Sequence, residues 1–270
     1  MYARHNPAPP LSAFVECFWY WEGSAGTAER ERLLPTGQGS VIFNLLDDAM
    51  RLYSAGNLDS FESYSSAMWA GALSTPNIID NQQKDRVFGI QFRSGGVYPF
   101  VKMPVDERAN CALPLEALWG RAAAELREQL LAAETPDAMF RATERALLSG
   151  GVRPLELHGA VRHSLQSFQR PERVGLMSKF GERLGLSQRR FIELFRTQVG
   201  LTPKAYCRVR RFHNLLRVVH PLREVDWSQV ALDSGYHDQA HFIHEFREFS
   251  GFSPTHYWQR RIEHLNHVPI

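Results

Sequence analysis

The last hundred residues concentrate the side chains that are able to bind an anion. Residues 171–270 carry 15 Lys and Arg against 10 Asp and Glu, whereas residues 1–170 carry 16 against 19. Among the 15 cations only Lys179 and Lys204 are lysines, and the arginine guanidinium binds phosphate through paired hydrogen bonds. This bias predicts contact with a polyanion, although an ordinary solvated surface is able to carry the same excess.

Two stretches with the same pattern position these side chains. In the first, about residues 178–199, a short helix ends at Gly185, which favours a left-handed turn, and Ser187 is placed to cap a helix over 188–199. Apolar residues of that second helix recur at helical spacing and are expected to face inward. The residues expected to face outward are Gln188, Arg189, Ile192, Glu193 and Arg196.

The pattern recurs 51 positions later, over about residues 227–250. Gly235 ends the shorter helix, and Asp238 is placed to cap a helix over 239–250. In both stretches a Gly ends the second helix, and a Thr-Pro or Ser-Pro pair then begins another one. The residues expected to face outward here are Gln239, Ala240, Ile243, His244 and Arg247.

Paired helices joined by a glycine turn are typical of helix-turn-helix units, whose second helix enters the major groove of DNA. A helix over 203–219, about 26 Å long at 1.5 Å per residue, separates the two units. With its flanking turns, this length suits two recognition helices about 34 Å apart, which is one turn of DNA. Base contacts are predicted from eight side chains: Gln188, Arg189, Ile192, Glu193, Gln239, Ala240, Ile243 and His244. Phosphate contacts are predicted from five arginines: Arg196, Arg208, Arg210, Arg211 and Arg247.

The second unit carries the most specific motif of the chain. It runs Gly235-Tyr-His-Asp-Gln-Ala-His-Phe-Ile-His-Glu-Phe-Arg-Glu-Phe-Ser-Gly-Phe-Ser-Pro254. This segment resembles the AraC/XylS-type helix-turn-helix transcriptional regulators, and the resemblance extends over the whole C-terminal part. It implies sequence-specific binding of double-stranded DNA by an all-α domain. Glu193 and His244 stand at positions that are often basic in similar regulators, which leaves the base preference open.

The first hundred residues contain short apolar runs separated by turn residues, a pattern typical of a β-barrel or sandwich, and helical periodicity follows. Leu34-Pro-Thr-Gly37, Gly89-Ile-Gln-Phe-Arg-Ser-Gly-Gly96 and Pro114-Leu-Glu-Ala-Leu-Trp-Gly120 resemble a domain of unknown function that precedes this DNA-binding module in many bacterial regulators. The resemblance implies a cupin-like barrel with appended helices and names no ligand. We therefore predict an α+β chain with three parts: a cupin-like sensor or dimerisation domain over 1–150, a helical linker over 151–172, and an AraC-type DNA-binding domain over 173–270, in which a long helix joins two helix-turn-helix units.

Other classes of function lack a matching motif. Residues 6–157 contain no histidine, which disfavours a His-based metal site in the barrel. His237, His241 and His244 have helical spacing, but they fall within the segment that resembles DNA-binding proteins, so neither a metal nor a cofactor is predicted. No nucleophile elbow, phosphate loop or dinucleotide motif appears, and no catalytic residue or enzyme activity is predicted.

The sequence also lacks targeting features. No run of 18 apolar residues and no N-terminal apolar signal segment appears, so we expect a cytoplasmic protein without membrane contact. Cys17, Cys111 and Cys207 form no Cys-x-x-Cys pair and are expected to be reduced thiols.

Three hypotheses remain for the N-terminal domain. The favoured one is a regulator controlled by a small-molecule effector bound in this domain; the second is a domain that only dimerises or binds a protein partner; the third is an enzyme fused to the DNA-binding module. A large apolar pocket would favour the first, and a filled barrel with an exposed apolar patch would favour the second. Clustered carboxylates with raised pKa values would favour the third. A homodimer is compatible with the first two, while the effector, the operator and the direction of regulation stay open.

Overall fold

The computed structural model describes residues 1–23, 29–54, 57–81, 85–108, 110–168, 181 and 185–270. Strands dominate the first 114 residues and helices follow, which confirms the predicted α+β class. The strands are β1 (Tyr2–His5), β2 (Val15–Glu22), β3 (Arg30–Leu33), β4 (Ser40–Asn44), β5 (Ala49–Ser54), β6 (Asn57–Ser65), β7 (Ala67–Ala70), β8 (Asn77–Asp80), β9 (Arg86–Phe92), β10 (Ala112–Pro114) and β11 (His267–Pro269). The helices are α1 (Glu116–Trp119), α2 (Arg121–Ala132), α3 (Pro136–Gly150), α4 (Gly159–Ser167), α5 (Gln188–Val199), α6 (Pro203–Val219), α7 (Trp227–Asp233), α8 (Gln239–Ser250) and α9 (Pro254–Arg260), with 3₁₀ helices at Leu11–Ala13, Tyr98–Phe100 and Val105–Arg108.

The described strands form two antiparallel sheets. One has the order β1-β2-β9-β4-β7-β10 and the other β11-β3-β8-β5-β6. In the first sheet Phe18 lies opposite Ile90, and Phe43 lies opposite Phe88. These four side chains are fully buried in one apolar cluster. Aromatic and branched residues thus fill the inward positions of this sheet, as expected for one sheet of a barrel or sandwich.

Helices α2 and α3 cover the first sheet. Thr135 caps α3 by accepting a hydrogen bond from the Ala138 backbone N–H, and Pro136 opens the helix. Phe140 from this helix packs against Phe18 and Phe88 of the sheet. The appended helices therefore belong to the core of the N-terminal domain.

The C-terminal region is built around α6, which has the predicted bounds. Phe191 and Phe195 of α5 form one apolar cluster with Tyr206 of α6. Phe246 of α8 forms a second cluster with Phe212 of α6. The long helix thus holds one helix-turn-helix unit at each of its ends, as the prediction requires.

The two regions are in direct contact through an element that the prediction lacks. Strand β11, near the end of the chain, pairs antiparallel with β3 of the N-terminal domain. Val268 in this strand is fully buried beside Leu34 in the apolar cluster of the second unit. His267 Nδ1 lies 2.7 Å from Glu31 Oε2. The C-terminal domain is therefore not entirely helical, since its last strand completes an N-terminal sheet.

The turn motifs of the N-terminal domain lie at the same interface. Gly37 packs against the Tyr206 ring of α6, and Arg210 of α6 donates a hydrogen bond to the Thr36 carbonyl oxygen. A Cβ at Gly95 would lie 3.4 Å from the Gln198 carbonyl oxygen of α5. These turns therefore position the barrel against the helical domain.

The predicted linker over 151–172 contains α4, and its residues 169–172 lie outside the described ranges. The two boundaries between the three predicted parts stay predictions. Within the described residues, every helix is too short or too polar to cross a bilayer.

Candidate nucleic-acid interface

The first candidate recognition helix is α5, and local sequence determines both of its ends. The Ser187 hydroxyl oxygen accepts a hydrogen bond from the backbone N–H of Arg190 at 3.3 Å, which caps the helix as predicted. Gly200 ends the helix with φ +94°, a backbone conformation that favours glycine. Phe191 and Phe195 turn one face inward, so the opposite face is available to a ligand.

The outward face of α5 carries the predicted base-contacting residues. Gln188, Arg189 and Glu193 are exposed, whereas Ile192 is half-buried. Arg190, which is not among the predicted residues, is also exposed, and its guanidinium lies 3.1 Å from the Glu193 carboxylate. In the sequence, the three-residue spacing of Arg190 and Glu193 on a predicted helix indicates that the two side chains can form an ion pair. A neighbouring cation reduces the repulsion between Glu193 and a DNA phosphate.

The second candidate recognition helix, α8, has the same construction. Asp238 accepts a hydrogen bond from the backbone N–H of His241 at 2.7 Å, as predicted for the cap. This backbone hydrogen bond, followed by one from His237, lowers the pKa of Asp238. Gly251 ends the helix with φ +73°. The predicted base-contacting residues occupy the outward face, with Ile243 half-buried and three others exposed: Gln239, Ala240 and His244.

The supporting helix of the second unit is α7. Asp226 caps it through hydrogen bonds from the backbone N–H groups of Ser228 and Gln229, and Gly235 makes the predicted turn with φ +73°. In the first unit Gly185 makes the corresponding turn with φ +69°. The predicted first helix over 178–184 lies outside the described residues except for Gly181.

The five arginines predicted to contact phosphate have different surroundings. Arg247 on α8 is exposed, and its side chain has no ion-pair partner in the described part of the chain. Arg196 on α5 is exposed but lies 3.1 Å from Asp106 of the N-terminal domain. Arg210 bonds to the Thr36 carbonyl oxygen. Of these three arginines, only Arg247 has a side chain without an ion-pair or hydrogen-bond partner among the described residues.

Arg208 and Arg211 of α6 form a buried ionic cluster with α8. Each places a guanidinium nitrogen 2.6 Å from an oxygen of Glu245, whose side chain is 1 % exposed. Arg208 also lies 2.5 Å from Glu248. These bonds hold the second recognition helix on α6. They also pair the positive charges of Arg208 and Arg211 with carboxylates, so that these charges are less available to a DNA phosphate. Phosphate contact by Arg208, Arg210 and Arg211 stays a prediction.

The described part of the N-terminal domain contains small cavities beside Trp69. Two cavities near Trp69 have a volume of about 10 Å³ each, which is room for about one water molecule. The first of them is lined by Val105 and by Val199 of α5. Among the described residues, no group of three or more His, Cys, Asp or Glu is placed to hold a metal ion.

Comparison with known families agrees with this geometry. A family model described as a helix-turn-helix domain matches residues 180–260. Residues 180–260 form an AraC-type helix-turn-helix domain. A second model, described as a domain of unknown function (DUF6597), matches residues 3–114. The AraC-type domain thus follows an N-terminal domain to which the comparison assigns no ligand.

Individual relatives share only part of the chain or have low identity. The probable transcriptional regulator LumQ of Photobacterium leiognathi is 38% identical over 72 residues, which are 27% of this chain and 29% of LumQ. The chain therefore matches less than a third of the length of this curated relative. The C-terminal domain of AraT, a response regulator from Geobacillus stearothermophilus, is 21% identical over 40% of this chain and 91% of its own, with a TM-score of 0.37. ToxT from Vibrio cholerae is 10% identical over 96% of this chain and 98% of its own, with a TM-score of 0.45.

Proposed function

We propose that the chain is a transcription regulator that binds double-stranded DNA sequence-specifically through its AraC-type domain. The observation that carries the proposal is the repetition of one geometry. Two capped helices, α5 and α8, end in left-handed glycine turns 51 residues apart and expose polar side chains from opposite ends of α6. A helix with an exposed polar face and a buried aromatic face suits the major groove.

The two units share the same backbone arrangement, but the side chains on their outward faces differ. Arg189 and Glu193 of α5 correspond to Ala240 and His244 of α8. A guanidinium donates to guanine and a carboxylate accepts from cytosine, whereas alanine contacts the thymine methyl group. The proposed operator is therefore asymmetric, with two unlike half-sites about 10 base pairs apart and about 1–3 kcal/mol of discrimination from each good contact.

The proposal also includes control of DNA binding by a small effector that binds in the N-terminal domain. A preformed ligand site usually has a volume of several hundred Å³, roughly 300–1,000. The two cavities near Trp69 are far smaller, so neither of them is large enough for such a ligand as it stands. The second candidate, a domain that dimerises or binds a protein partner, is supported by the exposed side chains of Leu58 and Phe61 on the outer strand β6. A thermal-shift ligand screen separates the two, because only a domain that binds an effector should gain thermal stability from a small molecule.

Selection from a random duplex library tests the DNA-binding proposal directly. We expect enrichment of one asymmetric motif, and we expect Glu193→Gln and His244→Gln each to change the preference in a different half-site. Enrichment of no motif would overturn the proposal.

A salt series measured by fluorescence anisotropy on the selected duplex tests the phosphate role. Arg247→Ala should weaken binding to every sequence and flatten the plot of log K against log salt by about 0.9. Arg121→Ala removes the same charge from an exposed site on the N-terminal domain and serves as the control. An unchanged slope for Arg247→Ala would remove this residue from the phosphate-binding set.

A further inference from the structure

The N-terminal domain contacts the first recognition helix through an acidic side chain. Asp106, in the 3₁₀ helix Val105–Arg108, places a carboxylate oxygen 3.1 Å from a guanidinium nitrogen of Arg196. Beside this pair, Val105 packs against the turn at Gly200, where a Cβ would lie 3.1 Å from the Val105 side chain. The carboxylate is therefore held at the end of α5 by packing as well as by charge.

The second recognition helix meets the N-terminal domain differently. Arg247 occupies in α8 the position that Arg196 occupies in α5, 51 residues earlier, and has no ion-pair partner in the described part of the chain. The N-terminal side chain at this end is Arg32, which donates a hydrogen bond to the Ser250 carbonyl oxygen. A cation interacts favourably with the C-terminal end of a helix, and because Arg32 is itself a cation it forms no ion pair with Arg247. At the C-terminal ends of the two recognition helices, the N-terminal domain thus presents an acid to α5 and a base to α8.

We propose that the N-terminal domain autoinhibits the first helix-turn-helix unit, because Asp106 competes with a DNA phosphate for Arg196. The proposal rests on the DNA-binding function proposed above and adds its regulation. While the 3₁₀ helix is seated, Arg196 is neutralised and Asp106 repels the approaching phosphate. Gln188 and Arg189 at the other end of α5 stay exposed, so the contact weakens DNA binding by the first unit without blocking it. The second unit binds independently of this contact.

Release of the 3₁₀ helix is the regulatory step that follows. A ligand or partner that prefers the N-terminal domain with this helix displaced would free Arg196 and strengthen binding at the first half-site only. The small cavity lined by Val105 and Val199 lies at this junction.

The test compares DNA binding of the full chain and of Asp106→Asn. We expect Asp106→Asn to bind about two- to fivefold more tightly at low salt, the range for an exposed ion pair, and to steepen the salt slope by about 0.9 because one more phosphate is contacted. Glu107→Gln removes the same charge from the same 3₁₀ helix, and its side chain has no partner among the described residues. Equal gains in the two variants would overturn the proposal, because they would reflect net charge alone.

A double-mutant cycle assigns the effect to the pair. Arg196→Ala should cost less affinity in the native chain than in the Asp106→Asn background, whereas Arg247→Ala should cost the same in both. Asp106→Glu keeps the carboxylate and should bind like the native chain, and matching thermal midpoints verify that each variant is folded. Equal costs of Arg196→Ala in both backgrounds would refute autoinhibition. Failure of Arg247→Ala to weaken binding in either background would instead count against the phosphate role proposed for Arg247, and failure of the full chain to select any DNA motif would refute the DNA-binding function itself.

Discussion

Glu245 offers the sharpest test of how the second recognition helix is held. Its carboxylate is almost completely buried between α6 and α8 and bonds to two arginines, each at 2.6 Å. Replacement by Gln keeps the shape and one acceptor oxygen but removes the charge. Arg208 and Arg211 then lose their shared counter-ion in a site that is largely closed to water.

The size of the effect follows from the surroundings of the two arginines. Removing one partner of a buried ion pair typically costs about 3–5 kcal/mol. Here Arg208 keeps Glu248, and Arg211 keeps its position 4.2 Å above the Tyr236 ring, which limits the loss. We therefore expect Glu245→Gln to lower the free energy of unfolding by about 2–3 kcal/mol.

Urea unfolding followed by circular dichroism measures this loss, and Glu248→Gln is the matched control. Glu248 bonds to the same Arg208, but its side chain is 42 % exposed, so its removal should cost less than about 1 kcal/mol. If Glu248→Gln destabilises the protein as much as Glu245→Gln does, burial is not the cause and the reasoning fails.

Three further predictions concern the interface and the core of the helical domain. Val268→Asp buries a carboxylate where β11 pairs with β3, and we expect a lower thermal midpoint from a loss of at least about 3 kcal/mol. Burial, together with nearby arginines, lowers the pKa of His213 from 6.5 to about 3. Between pH 6.5 and pH 3 the imidazole therefore takes up a proton in the unfolded chain only. Stability should then fall by up to about 1.4 kcal/mol per pH unit toward pH 3, and His213→Leu should flatten that decline in urea midpoints. Gly251→Ala should cost about 1 kcal/mol more than Gly235→Ala in thermal unfolding, because both have φ +73° but only the first displaces Arg32 from Ser250.

Local signals in the sequence predict the helical domain closely. The bounds of α5, α6 and α8 and the capping roles of Ser187 and Asp238 are confirmed. Each depends on residues within one or two turns, where apolar spacing, a capping oxygen and a glycine or proline determine the backbone. The arrangement of the strands in two sheets could be predicted only as a barrel or sandwich, because strand pairing joins residues far apart in the chain.

Contacts between distant segments could not be predicted either, because they too join residues that are far apart in the sequence. Strand β11 has three residues, too few to show alternation, and its partner β3 lies more than 230 positions away. In the sequence Glu245 lies at helical spacing from the inward-facing Phe242 and Phe249, but a carboxylate is ordinarily assigned to the surface. Its burial depends on two arginines from another helix. Helical periodicity identifies which side of α6 those arginines occupy but not what they meet.

The interface explains why two units with one backbone are proposed to respond differently to the N-terminal domain. Both recognition helices end at glycine turns that contact this domain, Gly200 against Val105 and Gly251 against Arg32. A movement of the domain would change both contacts, but only the first carries an acid that competes for a DNA-facing arginine. Because a phosphate contact contributes to every sequence alike, such a movement would alter the affinity of one half-site without changing which bases are preferred. The base preference and the regulation of binding are thus assigned to opposite ends of the same helix.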